Sequence, residues 1–361
     1  MVAKQEQEPP EDTVREVTPG ILRLQLPVDM PGLGHVNAYA IPDERGVAVV
    51  DPGIPGDASW TALLARLAAA DLKVRHVHTV VVTHSHPDHF GGAHRLAAEA
   101  QAPIVTHGAW RTRLWPEGTG NGHGHRCVGV PDVDPDDVPD TNPWEAPLPW
   151  GGESLAATWR ERLATAGPED RPGDWLAPDP DRAVADGEVV ALGGREWICR
   201  YTPGHTLDHL CLHDPGTGVL LSGDHVLPTI TPHIGGVGSG RDPLASFMAS
   251  LDRVAAQAGG AMVLPAHGHP FADLTGRVEA IKDHHHRRLA RLGELSAALG
   301  PATVVDLSHE LFTAVHWGPM AESETYAHLE HLRLAGAAER YWHQGRLVYV
   351  LDAARIPSGG G

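Results

Sequence analysis

Short apolar runs separated by Gly and Pro turns characterise the N-terminal part of the chain. The runs ILRLQLPV, VNAYAI and GVAVVDPG predict three β-strands, because apolar and β-branched residues bounded by turn residues favour that structure. Residues 57–70 carry Trp60, Leu63, Leu64 and Leu67 at helical spacing behind an Asp, which predicts a helix. The run VRHVHTVVV predicts a buried strand, and residues 93–100 predict a second helix.

The same pattern returns after Gly187. The segments EVVAL, REWICRY, HLCLHD, GVLLSGD and AMVLPAHG predict further strands, and residues 244–258 form one apolar stripe that predicts a helix with its buried side on a sheet. Strands that alternate with glycine turns and later helices indicate an α+β fold with two facing sheets covered by helices.

The C-terminal part follows a different pattern. Apolar residues from Leu274 to Leu295 recur at helical spacing and predict a long helix. Two more helices are predicted over residues 304–312 and 322–334, and ERYWHQGRLVYVL predicts a hairpin around Gln344-Gly345. We therefore divide the chain into a flexible tail (1–13), a catalytic domain (14–272), a helical module (273–354) and a tail (355–361).

Composition narrows the class of protein. The chain has 361 residues, no apolar run of membrane-spanning length, and a polar N-terminus without a secretory signal, so we expect a cytoplasmic enzyme that makes no membrane contact. Three cysteines are too few and too scattered for a disulfide framework. The formal charge of −18 repels phosphate backbones, which makes specific nucleic-acid binding improbable.

The segment VVTHSHPDHF holds the candidate chemistry. A β-branched strand ends in His84, His86, Asp88 and His89, and imidazole nitrogen with carboxylate oxygen suits zinc or a similar cation. Because Pro87 disfavours both a strand and a helix at that point, we place these side chains on a loop.

HSHPDH resembles the HxHxDH signature of the metallo-β-lactamase superfamily. That resemblance extends over residues 14–272, because His205 in YTPGHT, Asp224 in LLSGDH and His267 in VLPAHG follow in the expected order, each after an apolar run. The resemblance implies a four-layer αββα sandwich. It also implies that His84, His86 and His205 hold one metal, that Asp88, His89 and His267 hold a second, and that Asp224 bridges the two.

The resemblance implies two divalent cations, zinc first with iron or manganese as alternatives. They would generate a bridging hydroxide and polarise the substrate, so Asp88 and Asp224 are catalytic candidates as well as ligands. His225 is a third catalytic candidate, as a hydrogen-bond donor behind the ligands or a leaving-group acid, with a purely structural role as the alternative. Asp208 and His209 are weaker candidates, and Asp51 is either a support for the site or a turn-forming residue.

Residues 111–182 separate the first ligands from the later ones. This segment is rich in Pro, Gly, Trp and Asp, and only residues 154–166 have a helical pattern. Insertions of this length are often lids, so we interpret it as a substrate cap with tryptophan walls, a peripheral decoration being the alternative. The candidate wall residues are Trp144, Trp150, Trp159 and Trp175, and a minor candidate metal cluster comprises His123, His125 and Cys127.

The C-terminal module resembles the winged-helix appendage of some members of this superfamily, among them endoribonucleases. Residues 301–361 carry four Arg against seven acidic residues, which is the wrong balance for a helix that reads a nucleic-acid groove. We therefore expect the module to pack on the domain, close the pocket or form a homodimer.

The expected reaction is hydrolysis of a small-molecule ester, thioester or lactone. With an aspartate at position 224, the chain resembles the thioesterase, lactonase and ribonuclease branches of the superfamily. Antibiotic-degrading lactamases lack this bridging carboxylate. The alternatives are an endoribonuclease or phosphodiesterase, a mononuclear iron dioxygenase acting on sulfur compounds, and a non-enzymatic binding module.

Overall fold

A computed structural model describes residues 4–30, 32–110, 133–134, 137, 143–155, 157 and 177–356. Within these ranges, the apolar runs of the N-terminal half form one seven-stranded sheet. Its strands, in spatial order, are β1 (Arg15–Thr18), β2 (Ile21–Met30), β3 (Leu33–Asp43), β4 (Gly46–Val50), β5 (Val77–Val81), β6 (Ile104–His107) and β7 (Arg182–Val184). Strands β1 to β4 pair antiparallel and β4 to β7 pair parallel, so β4, β5 and β6 end at the same edge.

Five strands between residues 189 and 265 form a second sheet. These are β8 (Val189–Leu192), β9 (Arg195–Tyr201), β10 (Leu210–Asp214), β11 (Val219–Gly223) and β12 (Met262–Pro265). Because β10 is antiparallel to β9 and β11, while β11 is parallel to β12, the strands β9, β11 and β12 run in one direction. Their carboxyl ends therefore meet at one edge.

Helices cover the outer face of each sheet. Between the strands of the first sheet the chain forms α1 (Asp57–Ala69), after β4, and α2 (Pro87–Phe90) and α3 (Ala93–Ala100), after β5. Leu63 and Leu96 anchor α1 and α3 in the outer core of this sheet. The second sheet is covered by α4 (Pro243–Ala258), which Asp242 caps by accepting a hydrogen bond from the Ala245 amide. Between the sheets lies a separate apolar layer that includes Trp197. The expected αββα sandwich is confirmed.

The C-terminal module consists of α5 (Leu274–Leu299), β13 (Ala302–Thr303), α6 (Val304–Leu311), α7 (Pro319–Leu334), β14 (Ala338–His343) and β15 (Arg346–Leu351). Its strands form a small antiparallel sheet in the order β13-β15-β14. Gln344 and Gly345 both adopt positive φ, as a two-residue hairpin turn requires. The helical region is confirmed, and the winged-helix assignment stays a prediction. No helix in the described ranges, α5 included, is long and apolar enough to cross a membrane.

The module shares a hydrophobic core with the catalytic domain. One cluster of buried residues joins Phe247 and Leu251 of α4 to Leu289 and Leu292 of α5 and to Tyr349 of β15. This apolar cluster contains residues from both sides of position 272, and the division of the chain at that position stays a prediction. Of the roles that the sequence left open for the module, packing on the catalytic domain is the one that this core displays.

Residues 4–13 differ from the flexible tail that composition predicted. The Glu6 side chain is fully buried and accepts hydrogen bonds from the Thr229 amide at 2.7 Å and the Ile230 amide at 3.0 Å. The Glu8 carbonyl accepts a hydrogen bond from His35 Nδ1 at 2.7 Å. A charged, proline-containing segment is ordered here because its polar groups find fixed partners on the folded domain.

Part of the predicted insertion lies against the C-terminal module. Trp150 is 1% exposed, its ring centroid is 5.1 Å from that of Tyr326, and its Nε1 donates to Glu322 at 2.9 Å. Trp144 lies against Gly238, in the loop that follows Asp224. Trp159, Trp175 and most of the predicted helix over residues 154–166 fall outside the described residues.

Candidate metal centre

The predicted ligands all lie where strands end. His84 and His86 follow β5, His205 follows β9, Asp224 follows β11 directly, and His267 follows β12. Because β5 lies in the first sheet and the other three strands in the second, the sandwich brings both sets of ends together.

Asp88 and His89 do not lie on the loop that the sequence predicted. They belong to α2, a single helical turn that begins at Pro87. Proline is tolerated at the first position of a helix, where its missing amide hydrogen would have no intrahelical partner. The turn directs both side chains inward, and both are buried.

One set of four side chains, the first ligand group, comprises His84, His86, His205 and Asp224. His86 Nδ1 lies 3.0 Å from Nε2 of His84 and 3.0 Å from Nε2 of His205. Asp224 Oδ2 lies 3.5 Å from His205 Nε2 and 4.0 Å from His84 Nε2. Three nitrogens and one oxygen at these separations can surround a single cation.

The second ligand group comprises Asp88, His89 and His267. Asp88 Oδ2 lies 3.3 Å from His267 Nε2 and 3.6 Å from His89 Nε2. Asp224 also reaches this group, with Oδ1 3.4 Å from His267 Nε2 and Oδ2 3.6 Å from His89 Nε2. The Asp224 carboxylate therefore lies between the two groups.

Outer hydrogen bonds determine which nitrogen of each ring faces the centre. His205 Nδ1 donates to the His233 carbonyl at 2.7 Å, and His267 Nδ1 donates to the His35 carbonyl at 2.6 Å. A neutral imidazole that donates from Nδ1 presents a lone pair at Nε2. Both rings are thus oriented as metal ligands.

Asp51 sets the same tautomer in two more rings. It accepts His89 Nδ1 at 2.9 Å, and it also accepts the amide and hydroxyl of Thr83, each at 2.8 Å. Because the Thr83 hydroxyl donates to Asp51, its oxygen accepts from His84 Nδ1, 3.0 Å away, which leaves the lone pair of His84 on Nε2. Through these hydrogen bonds Asp51 supports the site. It also forms the turn at the end of β4, where its φ is 51°.

The buried donor set fits divalent cations. Nε2 of His89, Nε2 of His267 and Oδ1 of Asp224 have no hydrogen-bond partner in the described structure, although each is shielded from solvent. Orphaned buried polar atoms are costly, and a cation coordinated by them would satisfy all three at once. Nitrogen and oxygen ligands without sulfur suit zinc, iron or manganese.

Charge in the site is unevenly distributed. Burial, reinforced by neighbouring imidazoles, lowers the pKa of His84 and brings that of His86 to about 3, so both rings are neutral. Burial also opposes protonation of His89 and His267, but the carboxylates of Asp88 and Asp224 outweigh it and raise both pKa values. The electrostatic potential is therefore more negative at the second ligand group than at the first, which favours binding of a cation.

The same imidazoles keep the two carboxylates ionised. Burial opposes ionisation of Asp88 and Asp224, yet the neighbouring His89 and His267 outweigh burial. The pKa of Asp88 falls to about 2, and that of Asp224 falls well below its usual range. Both side chains are acceptor-only groups at neutral pH.

Asp208 and His209 hold the backbone of the site. His209 Nε2 accepts a hydrogen bond from the Asp224 amide at 3.1 Å, so its Nδ1 donates to Thr202 Oγ1 at 2.7 Å. Asp208 Oδ1 accepts the Ser85 hydroxyl at 3.1 Å, which fixes the loop between His84 and His86. These weaker sequence candidates lie one layer behind the ligands.

His225 directly follows Asp224 in the chain, and its ring centroid is 6.0 Å from that of His209. Its ring is fully buried against Phe247, with centroids 5.2 Å apart. Burial lowers its pKa to about 3, so it is neutral. The catalytic and the structural role of His225 both stay predictions. His123, His125 and Cys127 lie outside the described residues.

Two orienting groups could not be found from sequence motifs. The carbonyls of His35 and His233 fix His267 and His205, but every residue has a carbonyl, so residue type gives no signal. Only the tertiary structure shows which carbonyl faces which ring.

The family model described as "Metallo-beta-lactamase superfamily" matches residues 31–267. The chain belongs to the metallo-β-lactamase superfamily, and its fold and site are those of a metal-dependent hydrolase.

Individual relatives agree with that class. The chain is 25% identical to a probable metallo-hydrolase, YqjP, of Bacillus subtilis (strain 168), over 94% of this chain and 99% of the relative. It is 30% identical to a hydroxyacylglutathione hydrolase of Maricaulis maris (strain MCS10), over 35% of this chain and 48% of that relative. A crystal structure of a metallo-beta-lactamase family protein from Thermus thermophilus superposes with a TM-score of 0.71 at 29% identity, covering 92% of this chain and 99% of that chain.

Proposed function

We propose that the protein uses two divalent cations, zinc in the first place, to hydrolyse a small ester, thioester or lactone. The position of Asp224 carries this proposal. Its Oδ2 lies 3.5 Å from His205 Nε2 in the first ligand group, and its Oδ1 lies 3.4 Å from His267 Nε2 in the second. A carboxylate shared by two groups of imidazoles supports two neighbouring cations.

Cations bound there would supply a water nucleophile near neutral pH and would polarise the scissile carbonyl. The side chains of this chain position and balance that charge. Asp88 and Asp224 contribute negative charge, and the outward hydrogen bonds to Asp51, His35 and His233 hold the imidazole lone pairs inward. No serine or cysteine nucleophile is needed for this chemistry.

The substrate reaches the centre from the first ligand group. Ser85, His86 and Pro87 are half-buried, as are residues 228–231 of the loop after Asp224, whereas His89 and His267 are fully buried. A carbonyl compound that enters on this side meets His86 first, with the second ligand group behind it.

Two observations support an acyl substrate. One relative is a hydroxyacylglutathione hydrolase, and a hydroxyacylglutathione is a thioester. The formal charge of −18 disfavours a polyanionic substrate such as RNA. Trp144, against Gly238 in the loop after Asp224, supports the interpretation of residues 111–182 as a cap near the substrate.

The test combines metal analysis of the purified chain with a substrate screen. We expect about two equivalents of zinc and turnover of a thioester, ester or lactone. The screen includes a phosphodiester and RNA, because preferential cleavage of either would replace the acyl hydrolase by a phosphodiesterase. One iron per chain together with oxygen consumption on a sulfur compound would instead establish the dioxygenase alternative.

An RNA titration tests whether the C-terminal module binds nucleic acid. Glu322, Glu324 and Glu330 lie on α7, so we expect weak binding with little salt dependence. Submicromolar affinity that falls steeply with salt would contradict the proposal. Homodimer formation and the cytoplasmic location stay predictions.

A further inference from the structure

The loop of residues 225–242 follows Asp224 and supplies none of the proposed metal ligands. It contributes to the metal centre through its contacts with the ligand His205. The carbonyl of His233, in this loop, accepts the Nδ1 hydrogen of His205 at 2.7 Å. Ser239 Oγ also donates to the His205 carbonyl, at 3.4 Å. The loop therefore determines the orientation of His205, and any movement of residue 233 moves that ring.

Helix α7 of the C-terminal module holds this loop in place. His233 Nδ1 donates to Glu324 Oε2 at 3.2 Å. The Gly236 amide donates both to the carbonyl oxygen of Ser323, at 3.2 Å, and to the hydroxyl oxygen of Ser323, at 3.0 Å. A Cβ on Gly236 would lie only 2.5 Å from Tyr326 Cδ1, so the loop backbone rests directly on the helix.

Glu324 is itself fixed from two sides. Arg288 of α5 forms an ion pair with its carboxylate, and His328 Nδ1 donates to its backbone carbonyl at 2.7 Å. The residue is 8% exposed. Burial opposes its ionisation, but Arg288 and His233 outweigh burial and hold the pKa of Glu324 well below its usual range. The carboxylate is thus an anchored, charged acceptor for the His233 ring.

We propose that Glu324 is a positioning residue for the metal centre, acting on His205 through His233 from the appended module. This inference rests on the proposed function, because it takes His205 to be a metal ligand. Glu324 is not among the proposed ligands. Its carboxylate accepts the hydrogen bond of the His233 ring, which fixes the backbone at residue 233. The carbonyl of that residue in turn fixes the ring of His205.

The experiment measures metal affinity of the full-length chain by competition with a chelator, for Zn²⁺ and for Co²⁺. Glu324→Ala should weaken binding at the first ligand group by about tenfold or more, the usual effect of losing a supporting hydrogen bond. Glu324→Gln keeps an acceptor for His233 and should restore most of the affinity. The absorption spectrum at saturating Co²⁺ should change in Glu324→Ala and recover in Glu324→Gln, because it reports ligand geometry.

Glu322→Ala is the matched control. Glu322 lies one half-turn earlier on the same helix and accepts the Trp150 Nε1 hydrogen bond, so its loss destabilises the module without touching His233. We expect a lower melting temperature and unchanged metal affinity. If Glu322→Ala weakened metal binding as much as Glu324→Ala, general loosening of the module would explain both, and the inference would be overturned.

A second variant keeps the test open should Glu324→Ala not fold. His233→Ala removes the ring but keeps the carbonyl, and it should weaken metal binding to a similar degree. Where Glu324→Ala folds, adding it to His233→Ala should cause no further loss, because the two side chains act in series. Wild-type affinity in Glu324→Ala or His233→Ala overturns this inference alone, whereas a wild-type chain that binds no zinc overturns the proposed function as well.

Discussion

The two ligand groups are supported in different ways. In the second group, His89 is held by Asp51 at the end of β4, and His267 is held by the carbonyl of His35 within β3. In the first group, His205 is held by the carbonyl of His233, in a loop without regular secondary structure. The second group therefore depends on the first sheet, whereas the first group depends on that sheet for His84, through Thr83 and Asp51, and on a loop that needs external support for His205.

That external support comes from both ends of the chain. Glu6 binds Thr229 and Ile230 of the loop, and Arg277 of α5 donates to the carbonyls of Leu227 and Ile230, each at 2.6 Å. A sheet provides its own hydrogen-bond ladder, whereas a loop must find partners for every buried backbone group elsewhere. The C-terminal module therefore supports the loop that orients His205 in the first group, whereas the orienting contacts of the second group come from the first sheet.

Removing the C-terminal module should have the largest effect. Truncation after Ala272 removes the module's part of the apolar cluster in which Phe247 and Leu251 of α4 are fully buried. An apolar patch of that kind causes aggregation, so we expect little soluble monomer by size-exclusion chromatography. Removal of residues 357–361 alone is the control and should leave the chain monodisperse. A folded, monomeric 1–272 fragment with both metals would contradict the shared core.

Asp224→Ala should abolish hydrolysis while the fold persists. The carboxylate faces both ligand groups, so its loss should reduce turnover by more than the roughly 10–100-fold expected for a supporting residue. Turnover and metal content are measured together, with circular dichroism for the fold. Asp252→Ala, at an exposed ion pair on α4, is the control. Near-wild-type turnover with full metal content would exclude the dinuclear assignment.

Asp51→Asn should distinguish the two groups. Asparagine tolerates the positive φ of 51°, so the turn survives while the charge that orients His89 is lost. We expect roughly 10–100-fold weaker metal binding at the second group and a smaller change at the first, measured by calorimetric zinc titration. Asp71→Asn, an exposed aspartate with φ of 56°, controls for the backbone effect. Equal weakening of both groups would show that the supports are not separate.

The smallest effect concerns the pH dependence of stability in the module. His285 of α5 is buried against His328 and Phe247, with Glu324, His284 and Arg288 nearby, and burial followed by His328 lowers its pKa to about 2. Above the unfolded pKa of about 6.5 neither state binds a proton, so the contribution of His285 to stability is fully present. As the pH falls below that value the unfolded chain binds a proton first, and stability declines by at most about 1.4 kcal/mol per pH unit.

His285→Gln should therefore lose less stability between about pH 7.5 and pH 5.5 than the wild-type chain, as measured by urea unfolding. His286→Gln, at the neighbouring half-buried position of the same helix, is the control. Parallel pH profiles for His285→Gln and the wild-type chain would show that this histidine does not contribute to the pH dependence.

Sequence patterns predicted the strands and the longer helices, and the resemblance to the metallo-β-lactamase superfamily implied that the seven candidate ligands approach one another. The structure places these side chains in two neighbouring groups at strand ends and on the adjoining turn, and their role as ligands stays a prediction. The turn itself was mispredicted, since Pro87 begins α2 instead of preventing a helix. The N-terminal segment was mispredicted too, because the partners of Glu6 lie more than 200 positions away in the chain.

The sequence by itself determined the donor set of the centre, since residue type specifies which atoms can bind a cation. It also determined most of the strands, because strand periodicity is local, whereas the two-sheet sandwich was implied by the family resemblance. Only the tertiary structure decided which nitrogen each imidazole presents, since the acceptors are backbone carbonyls such as those of His35 and His233. It also decided that the C-terminal module supports the first ligand group, because Glu324 meets His233 only after the chain has folded. Contacts of this kind depend on long-range packing and leave no pattern in the local sequence.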